Sequence, residues 1–264
     1  MPKIEPFYEK RRATMQAAID LFRGQWKSAF PEASGLQAGE ARMFDDPRPS
    51  WAQENLPGGL AGKSVLELGP FEGYQTYLLE QLGAGSIVSI EGNSFNFLKC
   101  LVVKNALQLR AEYLFGDCLP YLENTDSTFD LCWASGILYH QTKPLQLLEL
   151  ICRKSAAVFV WTHFYDADRM ANLERAQRRL FVSKGNTIQG VGDYRCMHYM
   201  RTYDIADYDK NIPGYWEGGN EGHAYWLAYD DILEFVKAQG LSNMRVQNVG
   251  DVGGLPCVAF LAWR

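Results

Sequence analysis

Two hydrophobic periodicities alternate along the chain. From Lys63 the text runs KSVLEL, a short apolar strand, then GPFEGYQTYLLEQLGA, a helix opened by glycine, then SIVSIE, a second strand. NSFNFLKCLVVKNALQL follows as an amphipathic helix capped by Asn93 or Ser94. Next come the strands EYLFGD and FDLCWA, the helix KPLQLLELICRK and the strand AAVFVWTHF. Short apolar runs between helical patterns are the mark of strands covered on both faces. The alternation therefore predicts βαβ units and a parallel sheet with helices on each side.

The alternation stops after Phe164. Residues 166–226 are rich in Tyr, Trp, Arg, Asp and Gly and begin with a helix-like DADRMANLERAQRRLFV. It resumes with the helix YDDILEFVKAQG and two closing strands, MRVQNVG and PCVAFLAWR. Upstream, YEKRRATMQAAIDLFRGQW, within residues 7–30, reads as a helix ended by Gly24 and Pro31, and a Pro- and Gly-punctuated loop follows. The expected organisation is a helical lead or lid over residues 1–59 and an α/β domain over 60–264. An insertion at about 166–226 interrupts that domain before its last helix.

Composition changes this picture little. The chain has 264 residues, 47% hydrophobic and 22% charged, which suits one large globular domain. Its net charge of −5 argues against nucleic acid as a partner unless a local basic patch supplies one. MPKIEPFYEKRR is not followed by an apolar stretch, and no run is long enough to span a bilayer, so a cytoplasmic protein without a membrane partner is expected. The six cysteines form no CxxC and no zinc spacing, so no metal is expected.

VLELGPFEGYQT carries the most chemistry. A strand ends at Glu67-Leu68-Gly69, Pro70 and Phe71 form a tight turn, and Gly73 opens a helix. Glycines there let the backbone turn sharply and approach a ligand. The next strand ends in Glu91, followed by Gly92 and Asn93, where an acid can accept hydrogen bonds from ribose hydroxyls. In the dinucleotide pattern G-x-G-x-x-G the middle glycine position is Phe71 here, and Glu72 would crowd a pyrophosphate. Acids at positions 67 and 72 suit a cation, so the charge pattern favours the sulfonium S-adenosylmethionine over NAD.

These residues resemble the first motif of the class I S-adenosylmethionine-dependent methyltransferases, E-x-G-x-G-x-G, in the variant LELGP-x-EGG-x-T. The likeness covers about residues 60–164 and 226–264. It implies a Rossmann-like seven-stranded methyltransferase sheet in an α/β fold. It also implies cofactor contacts at Glu91, at Asp117 and Cys118 after the third strand, and at Ala134, Ser135 and Gly136 after the fourth. ASGILYHQTKPLQLL resembles the LYH-x-x-x-P-x-x-LL segment of methyltransferases, among them the tRNA-uridine carboxymethyltransferases. Tyr139 and His140 would then face the reactive end; the alternative is that Tyr139 packs and His140 caps the next helix.

On the substrate side, His163 ends the fifth predicted strand with Tyr165 and Asp166 beside it, either an oriented proton acceptor or a loop-capping cluster. The insertion brings His198, Tyr199, Trp216 and His223. Its aromatic density suits a lid over a small planar acceptor, a second small core, or a contact within a homo-oligomer. The expected activity is methyl transfer to an N or O atom of a small planar molecule. The alternatives are an RNA-base methyl- or carboxymethyltransferase, a nicotinamide oxidoreductase, and a non-catalytic binding protein of the same fold.

Overall fold

The computed structural model describes residues 8–203 and 218–264. The first βαβ units form where the periodicity places them: β1 (Ser64–Leu68) and β2 (Ser86–Glu91), then β3 (Glu112–Phe115), β4 (Phe129–Ser135) and β5 (Ser155–His163). All five are parallel. The lead carries α1 (Met15–Ile19) and α2 (Arg48–Asn55); α3 (Tyr74–Gln81), α4 (Ser94–Leu107), α5 (Cys118–Asn124) and α6 (Pro144–Lys154) connect the strands. Alternate residues of β1, β4 and β5 fill opposite layers. Val65, Trp133 and Phe159 pack with α2, α3 and α4, while Leu66, Cys132 and Val160 pack with α5 and α6.

The insertion holds α7 (Ala167–Ala171), α8 (Arg175–Arg178) and an antiparallel sheet of β6 (Thr187–Val191), β7 (Tyr194–Thr202) and β8 (His223–Trp226). The single helix expected from residue 166 is two short ones. After α9 (Tyr229–Ala238), β9 (Asn243–Val252) and β10 (Leu255–Trp263) complete the main sheet, whose order is β3-β2-β1-β4-β5-β10-β9. The sheet is mixed rather than parallel, because β10 runs antiparallel to both β5 and β9. Gly253 and Gly254, both at positive φ, make the two-residue turn that joins β9 to β10 as a hairpin.

The lead departs furthest from expectation. Instead of a long helix it has the five residues of α1 and a 3₁₀ turn, Asp20–Phe22, and the Trp26 indole donates to the Ile19 carbonyl at 2.9 Å where the two meet. Its apolar residues are spent on packing rather than on helix: Trp26, Phe30 and Phe44 cluster with Tyr74 and Val103 of the main domain. Glu72 fastens this cluster. Fully buried, it accepts the backbone N–H groups of Lys27 (3.1 Å) and Ser28 (2.8 Å) and pairs with Lys99 Nζ at 2.8 Å. It therefore faces the lead and Lys99, not a ligand, which corrects half of the charge argument made from the glycine loop. Removing one partner of a buried pair strands the other charge. Lys99→Met is expected to lose about 3 kcal/mol in denaturant unfolding and to expose residues 8–45 to limited proteolysis; wild-type stability in both assays would refute the role of the pair.

Candidate functional site

A cavity of about 900 Å³ lies across the carboxyl ends of β1 to β5. The β1–α3–β2–α4–β3 crossovers pack on one face of the sheet and α5 and α6 on the other. The connections thus diverge beside β1, opening a crevice as they do in other open α/β sheets.

Gly69 (φ 69°) and Phe71 (φ 58°) form the wall after β1. Phe71 holds a left-handed backbone that costs an L-residue about 1–2 kcal/mol. It is kept there by its N–H to Glu91 Oε2 (3.0 Å), by its carbonyl, which accepts the Cys100 thiol, and by its ring against the lead cluster. The turn thus follows a glycine-like path without a glycine. Pro70 and Gly73 support it from behind. The Pro70 carbonyl accepts the Gly73 N–H at 2.8 Å, and a Cβ on Gly73 would lie 3.0 Å from the Tyr113 hydroxyl.

Glu91, Gly92 and Asn93 form the wall after β2. The Glu91 carboxylate accepts the N–H groups of Asn93 (2.8 Å) and Phe71, yet burial pushes its pKa up to about 7. Asn93 caps α4 through its side chain. After β3, Asp117 caps α5 and accepts the Asn220 side-chain amide at 3.0 Å, and beside it burial pushes the Cys118 thiol up to about 12. Ser135 and Gly136 (φ 86°) line the cavity after β4.

Two expected contacts face elsewhere. Ala134 belongs to the core, and Glu67 accepts the hydroxyls of Thr76 and Ser89 at 2.5 Å each inside the layer of α3, with burial raising its pKa to about 7. The two-residue period of β1 places Glu67 under that helix. The acids at 67 and 72 are thus both absent from the cavity wall, whose acids are Glu91, Asp117 and Asp46, the last paired with Arg48.

Sequence reasoning missed the contribution of the lead. Arg48 pairs with Asp46 (2.6 Å), donates to Ser135 Oγ (3.0 Å) and lies over the Trp161 ring at 5.1 Å. Gln75 relays from Asp46 (2.7 Å) to the Trp133 indole (3.0 Å). The signal available was an Asp-Pro-Arg triplet in a segment read only as loop punctuation.

The far end of the cavity is aromatic. Tyr139 and His140 sit on a 3₁₀ turn, Leu138–His140, and Tyr139 meets His163 edge-on at 4.7 Å. His163 Nδ1 lies 3.0 Å from the Pro256 carbonyl, which can only accept, so Nδ1 carries the proton and Nε2 is left as an acceptor. Its ring stacks on Trp226 at 5.1 Å, and burial lowers its pKa below the usual 6.5. His140 Nδ1 lies 2.7 Å from the Tyr203 hydroxyl, and burial brings its pKa down to about 3. Asp166 does not orient His163; its carboxylate caps α7 by accepting the Arg169 N–H at 3.0 Å.

The remaining expected substrate residues pack within the insertion. Tyr165 stacks on Tyr199 at 3.6 Å, buried His198 reaches the Cys196 carbonyl at 3.2 Å, and His223 meets the Tyr225 ring at 5.5 Å. None lines the cavity, and Trp216 lies outside the described residues. Among the described residues, what the insertion adds to the wall is Gly218, Gly219 and Asn220. A Cβ on Gly219 would fall 2.3 Å from the His140 carbonyl, so only glycine allows that approach.

No family model matches the chain. It is 27% identical over 158 residues to the tRNA U34 carboxymethyltransferase of Ectopseudomonas mendocina (strain ymp), a match spanning 57% of this chain and 49% of that protein. It is 31% identical over 115 residues to the enzyme of the same name from Campylobacter hominis, spanning 41% and 39%. The chain thus spans about half or less of the length of these curated relatives. Among solved structures, the N-terminal domain of EvdMO1 with SAH bound superposes with a TM-score of 0.68 at 20% identity, covering 94% of this chain and 95% of that one. Magnesium protoporphyrin IX methyltransferase of Synechocystis PCC 6803 gives 0.51 at 12%, covering 98% and 91%. The fold is that of the class I S-adenosylmethionine-dependent methyltransferases. The expectation that nucleic acid is not a partner is overturned by the tRNA-modifying relatives. Net charge sums the whole surface and says nothing of one local face.

Burial disfavours imidazolium, so ¹⁵N-resolved NMR is expected to show His163 protonated at Nδ1 and titrating below pH 6.5, with His140 neutral down to about pH 4. A His163 signal with Nε2 protonated at neutral pH would contradict the tautomer.

Proposed function

We propose that this chain is a transferase for a nucleobase of tRNA, placing a methyl group from S-adenosylmethionine or a carboxymethyl group from a derivative whose sulfonium bears that group in place of the methyl. The observation that carries the cofactor is the row of groups at four consecutive strand ends, Gly69, Glu91, Asp117 and Gly136, around one cavity. They fit the ligand chemically. Glu91 keeps acceptor capacity for ribose hydroxyls beside the backbone N–H groups it accepts, Asp117 and Cys118 would border the adenine, and Gly69, Ser135 and Gly136 would take the amino-acid part. The tRNA reading is supported by the curated relatives and by the LYH segment, whose Tyr139 and His140 line the cavity.

When bound, the cofactor supplies an electrophilic carbon on a sulfonium leaving group, so alignment of the acceptor provides much of the acceleration. The chain's part is to orient and to hold a proton. Tyr139 and Trp161 present ring faces and edges at the cavity wall against which a planar base can stack, and they exclude water. Nε2 of His163 is the acceptor for a proton leaving an attacking O–H or N–H, and the Pro256 carbonyl keeps it in that tautomer.

Ribose hydroxyls donate more strongly to a carboxylate than to a carboxylic acid, which keeps less acceptor capacity and carries an O–H donor of its own. With the Glu91 pKa near 7, affinity for S-adenosylhomocysteine is expected to fall as pH drops from about 8 to about 6, and Glu91→Ala should weaken it about tenfold and flatten that dependence. Calorimetry checks both; unchanged affinity in a folded variant would remove Glu91 from the site. His163→Gln is expected to keep that affinity while lowering turnover about 10²–10⁴-fold. The function itself is tested by incubating the protein with donor and unmodified tRNA, then digesting to nucleosides. The mass gained by a nucleoside tells methyl from carboxymethyl; an unmodified tRNA alongside turnover of a small acceptor would refute the reading.

A further inference from the structure

Arg201 lies on β7, opposite Ala224 of β8, with its guanidinium carbon 5.3 Å from the Tyr203 ring and 5.6 Å from the Trp226 ring. Its Nε is fully buried and has no hydrogen-bond partner, and no carboxylate pairs with it among the described residues. The residue as a whole is half-buried, and attraction to two ring faces offsets only part of what it costs to desolvate a guanidinium that has no carboxylate partner among the described residues. The side chain stands one ring behind the far end of the cavity. Trp226 stacks on His163 and the Tyr203 hydroxyl meets His140 Nδ1, and both histidines line the wall. The other arginine there, Arg48, is already neutralised by Asp46, whereas Arg201 keeps its charge and its planar fork of donors.

We infer that Arg201, held between Tyr203 and Trp226, is the docking point for an oxyanion carried by the acceptor, a phosphate or a carboxylate. This rests on the transferase reading above for the identity of the anion's carrier; on tRNA the group is a phosphodiester next to the base being modified. The anion completes the guanidinium's hydrogen bonding and sets the distance between the acceptor's charged group and the His163 ring. An acceptor lacking it loses registration at the reacting end, which makes Arg201 a residue of acceptor specificity rather than of cofactor binding.

The test titrates inorganic phosphate and, separately, acetate into the full chain and into Arg201→Met, by calorimetry and thermal denaturation without cofactor. The wild type is expected to bind at least one of the two, and Arg201→Met to bind it at least tenfold more weakly. Arg201→Lys, which keeps the charge but not the fork, should fall between them. Without anion, Arg201→Met is expected to melt no lower than the wild type, because the substitution removes a partly desolvated charge that has no carboxylate partner among the described residues. Preference for phosphate points to a nucleotide backbone and preference for acetate to a carboxylate; either supports the site. Equal anion affinity in all three proteins, or a lower melting point for Arg201→Met, would overturn it and leave the guanidinium a packing element. S-adenosylhomocysteine is titrated in parallel. A wild type that ignores it while binding phosphate through Arg201 would refute the transferase and keep the anion site.

Discussion

Glu72 and Lys99 meet at 2.8 Å with no access to water, and much of the cavity depends on that pair. One carboxylate closes three connections: to Lys99 on α4, and to the backbone N–H groups of Lys27 and Ser28 in the lead. A charge so deeply buried tolerates little displacement, so the lead is seated against the turn after β1 rather than draped over it. Lys99 also donates to the Gln25 carbonyl and lies over the Trp26 ring, so the anchor reaches both the polar and the apolar side of the lead.

Once seated, the lead becomes a wall of the cavity. Asp46 and Arg48 face Gln75, Ser135 and Trp161, and the network ends on the Trp133 indole in the middle of the sheet. Each member is satisfied by another, which is what lets polar groups line an apolar cleft without cost. The strained turn at Phe71 belongs to the same arrangement, since its N–H is held by Glu91 and its ring by the lead.

The two ends of the cavity differ in electrostatic character. Near β2 and β3 the wall offers acceptors, Glu91 and Asp117, the former with its proton affinity raised by burial. At the far end burial keeps His140 and His163 neutral, and the positive charge of Arg201 acts in the same direction on both. A site with hydroxyl acceptors at one end and neutral imidazoles among aromatic rings at the other is suited to holding a nucleoside while a proton moves at a distance from it.

The sequence by itself determined the alternating strands and helices, the glycine turn after β1 and the acids closing β2 and β3. All of these are local: a period, a turn residue or a strand end is written in a few neighbouring positions. The mixed direction of the sheet was also locally encoded, in Gly253-Gly254, though the pattern of apolar residues did not reveal it. Only the tertiary structure decided which way side chains face and what they meet. Glu67 and Glu72 were placed beside a ligand by their spacing but are consumed by the packing of α3 and of the lead. His163 takes its orienting partner from a carbonyl 93 residues away instead of from neighbouring Asp166. Arg48, Trp226 and Asn220 come to the site or its edge from segments that carried no motif. Contacts of such separation exist only after the sheet has closed, so no local pattern can carry them.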